Sequence, residues 1–351
     1  MRRAQILKAD HIFKMTTQIG FYQFAHGTAP NKKFGYSIDD QTRALILTLS
    51  LYQQKSARGG SAFGRKEKKY LKLARIYFKF IERAQLRDGR FHNFADAKGR
   101  FIDRVGSEDS FGRTIWALGV CERLAPKDIK QKVKKIFEKS KLKIKKLRYI
   151  RAKAYAVLGL VEMYQEKKEA ELKEELIRIT KYLIKKFKQN SSGQWQFFED
   201  RLIYANGILS LSLLSLFFVL RDEEELKAGL ESLNFLDRVS RMKGYPAPIG
   251  FKGWYFRGKR KAQFGQQPID VCDMVLAAVK AFELTQEKKY SEMAKNWFSW
   301  FLGNNVYHLK MYDSKTGGCY DGIFKAGINP NQGAESTICF HLANLAISKL
   351  K

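Results

Sequence analysis

The sequence predicts an all-α protein, an (α/α)6 barrel of six helical hairpins with small β-hairpins in its rim loops. Two observations predict this fold. Apolar and amphipathic helical segments alternate along the chain, and short polar motifs open five of the apolar segments. A helix that is apolar nearly all round is buried, whereas an amphipathic helix exposes one face to water. The alternation therefore predicts buried inner helices ringed by outer ones, with polar chemistry at one end of the inner helices.

Eleven helices follow from the periodicity of the apolar residues. The inner helices are expected near residues 38–53, 107–124, 148–165, 202–220, 267–285 and 332–349. The outer helices are expected near residues 67–86, 127–140, 168–188, 222–240 and 288–302. A twelfth helix is predicted at residues 9–24, with an apolar face formed by Ile12, Phe13, Met15, Ile19 and Tyr22.

The loops distinguish the two ends of the predicted barrel. Loops that precede inner helices combine a glycine turn with aromatic residues, as at 88–94, 192–198 and 316–322, whereas connections at the other end are short. The long loops therefore mark the functional end, where extended segments form the small hairpins. The glycine-rich stretch 57–64 is interpreted as a loop and not as a linker, so residues 1–351 are predicted to form one domain.

The composition excludes several classes of protein. The net charge of +30 comes mostly from lysines on amphipathic helices, and no nucleic-acid-binding motif accompanies them. We therefore expect a solvated basic face, no specific nucleic-acid partner and at most weak association with anionic surfaces. No apolar stretch approaches the roughly 20 residues that cross a bilayer, and the first residues lack the apolar region of a signal peptide. These features predict a cytoplasmic protein without a membrane span.

The cysteines and histidines give no sign of a metal site. Cys121, Cys272 and Cys339 lie inside apolar helical patterns and are expected to be buried thiols, whereas Cys319 lies in a glycine-rich loop and is expected to be exposed. No pair has the spacing of zinc ligands, and the five histidines do not cluster. The sequence therefore predicts neither a metal nor an organic cofactor.

Five blocks of sequence carry a resemblance to a known family. They are GYSIDDQTRAL at 35–45, SEDSFGRTIWALG at 107–119, PIGFKGWYFRG at 248–258, FGQQPIDVCDM at 264–274 and NQGAESTICFHLA at 331–343. Together with the hairpin repeat, they resemble the six-hairpin glycosidase superfamily and, more narrowly, bacterial proteins associated with glycosyltransferase and mannoside-degrading systems. The resemblance implies an (α/α)6 barrel that acts on carbohydrate, as the hydrolases, lyases and epimerases of this superfamily do. Gly265 stands where the narrower group often has Asp, so no carboxylate role is assigned there.

Two adjacent carboxylate pairs, Asp39-Asp40 and Glu108-Asp109, open two of the inner helices. Each of these residues can be a helix cap that interacts favourably with the helix dipole. Glycoside hydrolysis instead needs one carboxylic acid that protonates the leaving oxygen and a second carboxylate that activates water or attacks the sugar. Asp40 and Asp109 are the leading candidates for these catalytic roles, followed by Glu108.

Two arginines accompany the acidic pairs. Arg43 follows Asp40 by three residues and Arg113 follows Asp109 by four, so each arginine shares a helix face with an Asp. Three roles remain open for them: an ion pair that holds the carboxylate, a charge that lowers its pKa, or a clamp for a phosphate or uronate group.

Further candidates open the later inner helices. Asp200 follows Trp195 and Phe197, and nearby aromatic residues can raise a carboxyl pKa and create a general acid, with helix capping as the alternative. Glu335 lies among small residues that let a ligand approach closely. Trp254 lies in a loop bounded by glycines and can stack on a sugar. The predicted substrate-binding residues are Asp39, Arg43, Arg113, Tyr204, Trp254, Gln267, Asp270, Asn331, Gln332 and Glu335.

The sequence thus predicts a glycoside hydrolase that cleaves a short oligosaccharide by carboxylate acid–base catalysis. A glycoside phosphorylase or polysaccharide lyase is the first alternative, favoured if Arg43, Arg113 and Arg151 converge on an anion. A non-catalytic glycan-binding partner of a glycosyltransferase is the second, favoured if the acidic pairs point into helix contacts. An epimerase or isomerase would require histidines at the rim, where His92 is best placed and His26 comes next.

Overall fold

A computed structural model describes residues 8–56 and 64–350 of the chain. The start of the chain and the predicted loop at 57–64 lie outside these residues, except for Gly64, which begins a helix. Helices dominate the described part of the chain, and its strands are only two or three residues long. The predicted all-α class is therefore confirmed.

Twelve α-helices lie in the described residues, with two short 3₁₀ helices at Lys32–Phe34 and Trp300–Leu302. The helices are α1 Asp10–Met15, α2 Ile38–Ser56, α3 Gly64–Ala84, α4 Glu108–Leu124, α5 Lys127–Ile144, α6 Ile150–Lys167, α7 Ala170–Asn190, α8 Gly207–Leu220, α9 Glu223–Val239, α10 Pro268–Thr285, α11 Lys288–Ser299 and α12 Ala334–Ile347. None of these helices is both long and apolar enough to cross a membrane.

Ten short strands in the same residues form five antiparallel pairs. The strands are β1 Ala25–His26, β2 Ala29–Pro30, β3 Tyr36–Ser37, β4 Phe94–Ala95, β5 Arg201–Leu202, β6 Arg241–Met242, β7 Tyr245–Pro246, β8 Tyr255–Phe256, β9 Gly322–Phe324 and β10 Gly327–Asn329. The pairs are β1–β2, β3–β4, β5–β8, β6–β7 and β9–β10. All of them lie in segments that lead into α2, α4, α8, α10 or α12, as the prediction of small hairpins before inner helices requires.

The helices group into two compact units. One unit is Ile12–Leu176, and the other is Ile177–Lys351 together with the chain up to His11. The boundary falls within α7. The prediction that residues 1–351 form one domain stays a prediction.

In the unit Ile12–Leu176, helices α2, α4 and α6 pack side by side, with α3 against α2 and α5 against α4. Most positions of α4 and α6 are buried. Glycines allow these two helices to approach closely, since a Cβ on Gly119 would lie 2.2 Å from the carbonyl oxygen of Gly159. A Cβ on Gly112 would lie 2.4 Å from the carbonyl oxygen of Ala152. The contact between α4 and α6 therefore depends on the absence of side chains at these glycines.

In the other unit, helices α8, α10 and α12 pack side by side, with α9 against α8 and α11 against α10. A Cβ on Gly207 would lie 2.8 Å from the carbonyl carbon of Asp273, so α8 meets α10 closely at this point. The chain near His11 joins this unit. The His11 N–H donates to the Thr316 carbonyl at 3.0 Å, and its ring Nε2 donates to the Gln332 carbonyl at 2.7 Å.

Two predicted helices differ from the observed ones by more than a few residues. The helix predicted at 9–24 is wrong beyond Met15 because the chain reverses at Gly20, where a Cβ would lie 2.6 Å from Oε1 of Gln41. The helix predicted at 202–220 begins at Gly207 because the residues before it pair as β5 with β8. In both places a strand-like pairing replaces helical backbone bonds.

The prediction for one cysteine is also wrong. Cys319 is buried, like Cys121, Cys272 and Cys339. Its N–H donates to the Thr337 hydroxyl at 3.2 Å, which draws the glycine-rich loop against α12. A loop position thus need not be exposed when a neighbouring helix covers it.

Gly159→Ala tests the contact between α4 and α6. A Cβ at this position would lie 2.1 Å from the carbonyl oxygen of Ile115, so the two helices must separate. We expect the free energy of unfolding to fall by about 2 kcal/mol, the scale of an overpacked core, although alanine itself favours helices. Urea denaturation measures the change. Gly229→Ala is the control, because its Cβ first meets the movable side chain of Leu214 at 3.0 Å. Equal losses in the two variants would contradict this account.

Candidate active site

In the unit Ile12–Leu176, a buried arginine links neighbouring inner helices. Arg113 of α4 donates from Nη1 to Oδ1 of Asp39 at 3.2 Å, and its guanidinium lies 4.4 Å from the ring centre of Tyr155. Nη2 of Arg113 also donates to the Tyr155 hydroxyl at 3.3 Å. Only 7% of the Arg113 side chain is exposed, against 24% of the Asp39 side chain. A carboxylate therefore lies against a buried cation, with one side open to solvent.

A second carboxylate acts on the same arginine. Asp109 lies one helical turn before Arg113, is partly buried, and interacts electrostatically with its guanidinium. The structure thus brings together three of the predicted site residues, Asp39, Asp109 and Arg113, at the first turns of α2 and α4.

Asp40 is held by the start of its own helix. Oγ of Ser37 donates to Oδ2 of Asp40 at 2.5 Å, the Asp40 N–H donates to Ser37 Oγ at 3.2 Å, and Nη1 of Arg43 lies 3.7 Å from Oδ1. Asp40 is 3% exposed and Arg43 is 5% exposed. This is a capped helix start with an internal ion pair. The geometry favours the structural alternative for Asp40 and Arg43 over the catalytic and binding roles predicted for them.

Glu108 connects the starts of α4 and α6. It accepts hydrogen bonds from the backbone N–H groups of Arg148 at 2.6 Å and Tyr149 at 3.1 Å, and from Nε of Arg148 at 3.2 Å. Burial acts to raise the pKa of this carboxyl, but these bonds and the Arg148 charge outweigh it and hold the pKa below its usual range. The geometry again favours a structural role over the predicted catalytic one.

In the other unit, four carboxyl groups lie close enough to influence one another. Asp270 and Asp273 belong to α10, Glu335 lies in the first turn of α12, and Asp321 lies in the loop before α12. Asp270 and Asp273 are buried, whereas Asp321 and Glu335 are partly exposed. Across the described residues, no three or more His, Cys, Asp or Glu side chains have the arrangement of a metal site. The cluster is therefore a set of interacting acids.

Asp270 is the most strongly perturbed of these acids. Burial raises its pKa well above the usual range, and the charges of Asp273 and Glu335 raise it further. The backbone N–H groups of Ala205 and Asn206 face the carboxyl and oppose this shift. These surroundings therefore favour the protonated form of Asp270 more than water does.

Asp321 organises the first turn of α12. Its Oδ1 accepts hydrogen bonds from the Gly333 N–H at 2.8 Å and from the Ser336 hydroxyl at 2.7 Å. Burial raises the pKa of Asp321 to about 6, with a further contribution from the charge of Glu335. These bonds fix the backbone that carries Glu335.

A group of three aromatic residues lies near this cluster, because Tyr204 is next to Ala205, which contacts Asp270. Trp254 has a left-handed backbone with φ of 55°, and its ring centre lies 6.4 Å from that of Tyr204 and 6.5 Å from that of Phe251. All three are partly exposed. Tyr204 directly precedes Ala205, whose N–H faces Asp270. The predicted residues Tyr204 and Trp254 therefore form one aromatic surface near the acids.

Two predicted ligands precede α12. Gln332 is buried, accepts a hydrogen bond from the Thr316 hydroxyl at 2.8 Å and donates to Oδ2 of Asp313 at 3.0 Å. Asn331 is partly exposed, and its carbonyl accepts from the Asp321 N–H at 2.9 Å. The geometry gives Gln332 a structural role and leaves the side chain of Asn331 partly open to solvent.

The remaining two predicted residues lie apart from these contacts. Asp200 is exposed, whereas Trp195 and Phe197 are buried, so its carboxyl does not share their apolar surroundings. Gln267 is partly exposed at the N-cap of α10 and makes no side-chain capping bond. The reason for predicting Asp200 as a general acid is therefore absent from the structure, and both assignments stay predictions.

Three residues of these clusters were not predicted. Asp273 follows Asp270 by three residues on one face of α10, a spacing that could have identified it. Asp321 lies in a glycine-rich loop and Tyr155 lies within an apolar run. Neither of these surroundings distinguishes a site residue in a sequence.

The fold is the predicted (α/α)6 barrel, which this chain shares with solved structures of sugar epimerases and a cellulase. The cellobiose 2-epimerase from Bacillus thermoamylovorans B4167 matches with a TM-score of 0.74 at 12% identity, over 98% of this chain and 96% of that one. A D-mannose isomerase matches with a TM-score of 0.72 at 11% identity, over 97% and 94% of the two chains. The cellulase Cel9M of C. cellulolyticum in complex with cellobiose matches with a TM-score of 0.62 at 8% identity, over 94% of this chain and 88% of that one. No family model and no curated protein sequence matches this chain.

Asp40→Asn tests the structural assignment of Asp40. The substitution removes the negative charge from a buried ion pair with Arg43, and we expect the free energy of unfolding to fall by about 2–4 kcal/mol. Asp128→Asn is the matched control, because Asp128 also lies in a first helical turn but pairs with Arg75 at the exposed surface. The free energy of unfolding of the control should fall by less than about 1 kcal/mol. Chemical denaturation of both variants measures the difference, and an unchanged Asp40→Asn protein would refute the assignment.

Asp321→Asn tests the raised pKa of about 6. An Asp in the unfolded chain titrates near about 3.9, so the folded wild type binds more protons between these values and loses stability as the pH rises through them. Asparagine does not titrate, yet its oxygen can still accept from Gly333 and Ser336. From pH 4.5 to 7, the stability of the variant relative to wild type should therefore rise by about 1–2 kcal/mol. Urea denaturation at both pH values measures this, and a constant difference would count against the shift.

Proposed function

We propose that the protein is a glycoside hydrolase that cleaves a short oligosaccharide by carboxylate acid–base catalysis, with Glu335 as its general acid. The observation that carries the proposal is the partly exposed Glu335 beside two acids of raised pKa, Asp270 and Asp321. Glycoside hydrolysis needs a carboxyl group that brings a proton to the leaving oxygen. Glu335 stands in the first turn of α12, where a ligand can reach it.

Two acids beside Glu335 have raised pKa values. Carboxyl groups that share a site retain a proton among them, because like charges disfavour full ionisation. Burial raises the pKa of Asp270 well above its usual range and that of Asp321 to about 6. We propose that these two acids hold a proton close to Glu335.

Asp39 and Asp109 are the carboxylates that we propose as site residues of the unit Ile12–Leu176. The buried Arg113 cation donates to Asp39 and interacts electrostatically with Asp109. Asp40 and Glu108, which the sequence placed in the catalytic set, are instead proposed to position these helix starts.

The aromatic surface of Tyr204 and Trp254 fits an oligosaccharide. The apolar faces of sugar rings pack on partly exposed aromatic rings, which bury apolar area and retain a polar edge for hydrogen bonds. Tyr204 directly precedes Ala205, whose backbone N–H faces Asp270, and this supports an aromatic surface near the proposed acid cluster.

A sugar epimerase or isomerase is the second candidate function, because an epimerase and an isomerase are among the solved structures with this fold. That chemistry moves a proton on carbon and needs a base of suitable pKa, most often histidine. His11 and His341 are buried and donate to backbone carbonyls, and burial lowers the pKa of His341 to about 4. His92 is partly exposed, with Nδ1 bonded to the Asp103 carbonyl, and is the residue to test for this alternative.

The remaining alternatives receive less support. Arg43 and Arg113 each bind a carboxylate of this chain, which weakens the case for a phosphorylase or lyase that clamps a substrate anion. Asp40 and Glu108 point into contacts between elements, as a non-catalytic glycan-binding protein would allow. Asp39 and Glu335 stay partly exposed, which favours the enzyme.

Glu335→Gln tests the proposed acid. The substitution keeps the shape of the side chain and removes its exchangeable proton, so kcat on a cleaved oligosaccharide should fall by about 10²-fold or more. The melting temperature should stay near that of the wild type, because Glu335 is partly exposed. Glu292→Gln, on the exposed face of α11, is the matched control and should keep full activity. Full turnover by Glu335→Gln would remove this residue from the mechanism.

Product analysis distinguishes hydrolysis from epimerisation. We expect incubation with a panel of oligosaccharides to yield shorter sugars with a new reducing end, observed by chromatography and NMR. An isomer of unchanged mass, lost in His92→Ala and kept in Glu335→Gln, would establish the epimerase alternative and overturn the hydrolase.

A further inference from the structure

The end of α5 and the segment after it expose two large apolar side chains far more than most of the protein does. Leu142 is 61% exposed and Tyr149 is 62% exposed. Among the described residues, only Ile102, in the loop before α4, is comparable at 67%, and the other exposed large apolar side chains reach 48% at most. Two such side chains within eight residues form a local apolar surface.

Five exposed lysines lie in the same stretch of the chain as these two side chains. We define the basic–apolar patch by its exposed members, which are Lys134, Lys135, Lys139, Leu142, Lys145, Lys146 and Tyr149. Lys135, Lys139 and Leu142 recur at helical spacing on the outward face of α5, opposite the buried Ile136. Glu138 is the one acid of this face, and it pairs with Lys141 at 2.9 Å.

The lysines of the patch keep their charge uncompensated. The ion pairs of α5 involve its other lysines, since Lys132 pairs with Glu82, Lys141 with Glu138 and Glu171, and Lys143 with Asp88. Within the described part of the chain, no carboxylate lies within 4.0 Å of a lysine ammonium of the patch. The patch therefore presents five positive charges around two apolar side chains.

The backbone is anchored at both ends of the segment that carries the two apolar side chains. Leu142 lies in the last turns of α5, and the backbone N–H of Tyr149 donates to Glu108 at 3.1 Å. The Arg148 guanidinium lies 5.8 Å from the centre of the Tyr149 ring. Binding a partner therefore requires little reordering of the backbone at this segment.

We propose that the basic–apolar patch docks the protein on the surface of a bilayer that contains anionic phospholipid. Lysines are attracted to the negative surface potential of such a bilayer, with a contribution that grows with each residue near the surface. The exposed apolar side chains of the patch, Leu142 and Tyr149, enter the interfacial layer, where tyrosine is especially favourable. A nucleic acid would use the lysines but gains nothing from an exposed leucine among them, because its outer surface is a phosphate backbone.

Vesicle cosedimentation with the full chain tests this proposal. We expect binding to phosphatidylcholine vesicles that contain about one third phosphatidylglycerol, none to phosphatidylcholine alone, and weakening as salt rises. Replacing Lys135, Lys139, Lys145 and Lys146 together by Gln should reduce the affinity at least tenfold. The matched control replaces Lys181, Lys185, Lys227 and Lys288 by Gln, with the same change of net charge at exposed positions elsewhere. It should change the affinity by less than about twofold.

A second pair of variants separates docking from attraction by charge alone. Leu142→Ser with Tyr149→Ser leaves the lysines in place and should lower vesicle affinity several-fold, most clearly at high salt, where charge attraction is screened. If the variant with four Gln replacements melts below the wild type, Lys139→Gln alone is used instead. Its vesicle affinity should fall a few-fold. Equal losses in the patch and control lysine variants would overturn the proposal. Unchanged binding by the Ser variant would also overturn it, as would tighter binding to duplex DNA or RNA that depends on the same lysines.

Discussion

The burial of charge at the starts of the inner helices is the constraint on which both candidate clusters depend. A charged group removed from water must find a partner of opposite charge, accept hydrogen bonds or change its protonation state. Arg113 pairs with Asp39 and lies over the Tyr155 ring. Asp40 pairs with Arg43 and accepts a hydrogen bond from Ser37. Among the described residues Asp270 has no ion-pair partner, and its burial raises its pKa instead. The same constraint therefore produces an ion-pair site in one unit and a group of acids with raised pKa values in the other.

Close helix packing determines where these groups meet. Gly112 and Gly119 bring α4 against α6, which carries the Tyr155 ring to the Arg113 guanidinium. In the other unit, Gly207 lets α8 approach α10 at Asp273, one turn from Asp270. The glycines contribute no chemistry of their own, yet the distances within both clusters depend on them.

The sequence predicted the fold more fully than the site, for physical reasons. Apolar periodicity reports which face of a helix is buried, so eleven long helices were placed within a few residues except where β5 replaces the start of α8. Capping and catalysis place the same residue types at helix starts, so Asp40 and Glu108 could not be distinguished from Asp39 and Asp109 without their partners. Asp321 and Tyr155 acquire their importance from residues distant in the chain, and a local pattern does not report such contacts.

The hydrogen bond of His11 to Gln332 also has a consequence for folding during synthesis. Its ring binds the carbonyl of a residue 321 positions later, directly before α12. At about 5–20 residues per second, the ribosome needs tens of seconds to make that partner after His11 has been synthesised. During this time His11 lacks the Gln332 carbonyl that it binds, whereas α4 and α6 can already pack against each other. The contact between His11 and Gln332 therefore forms late in synthesis.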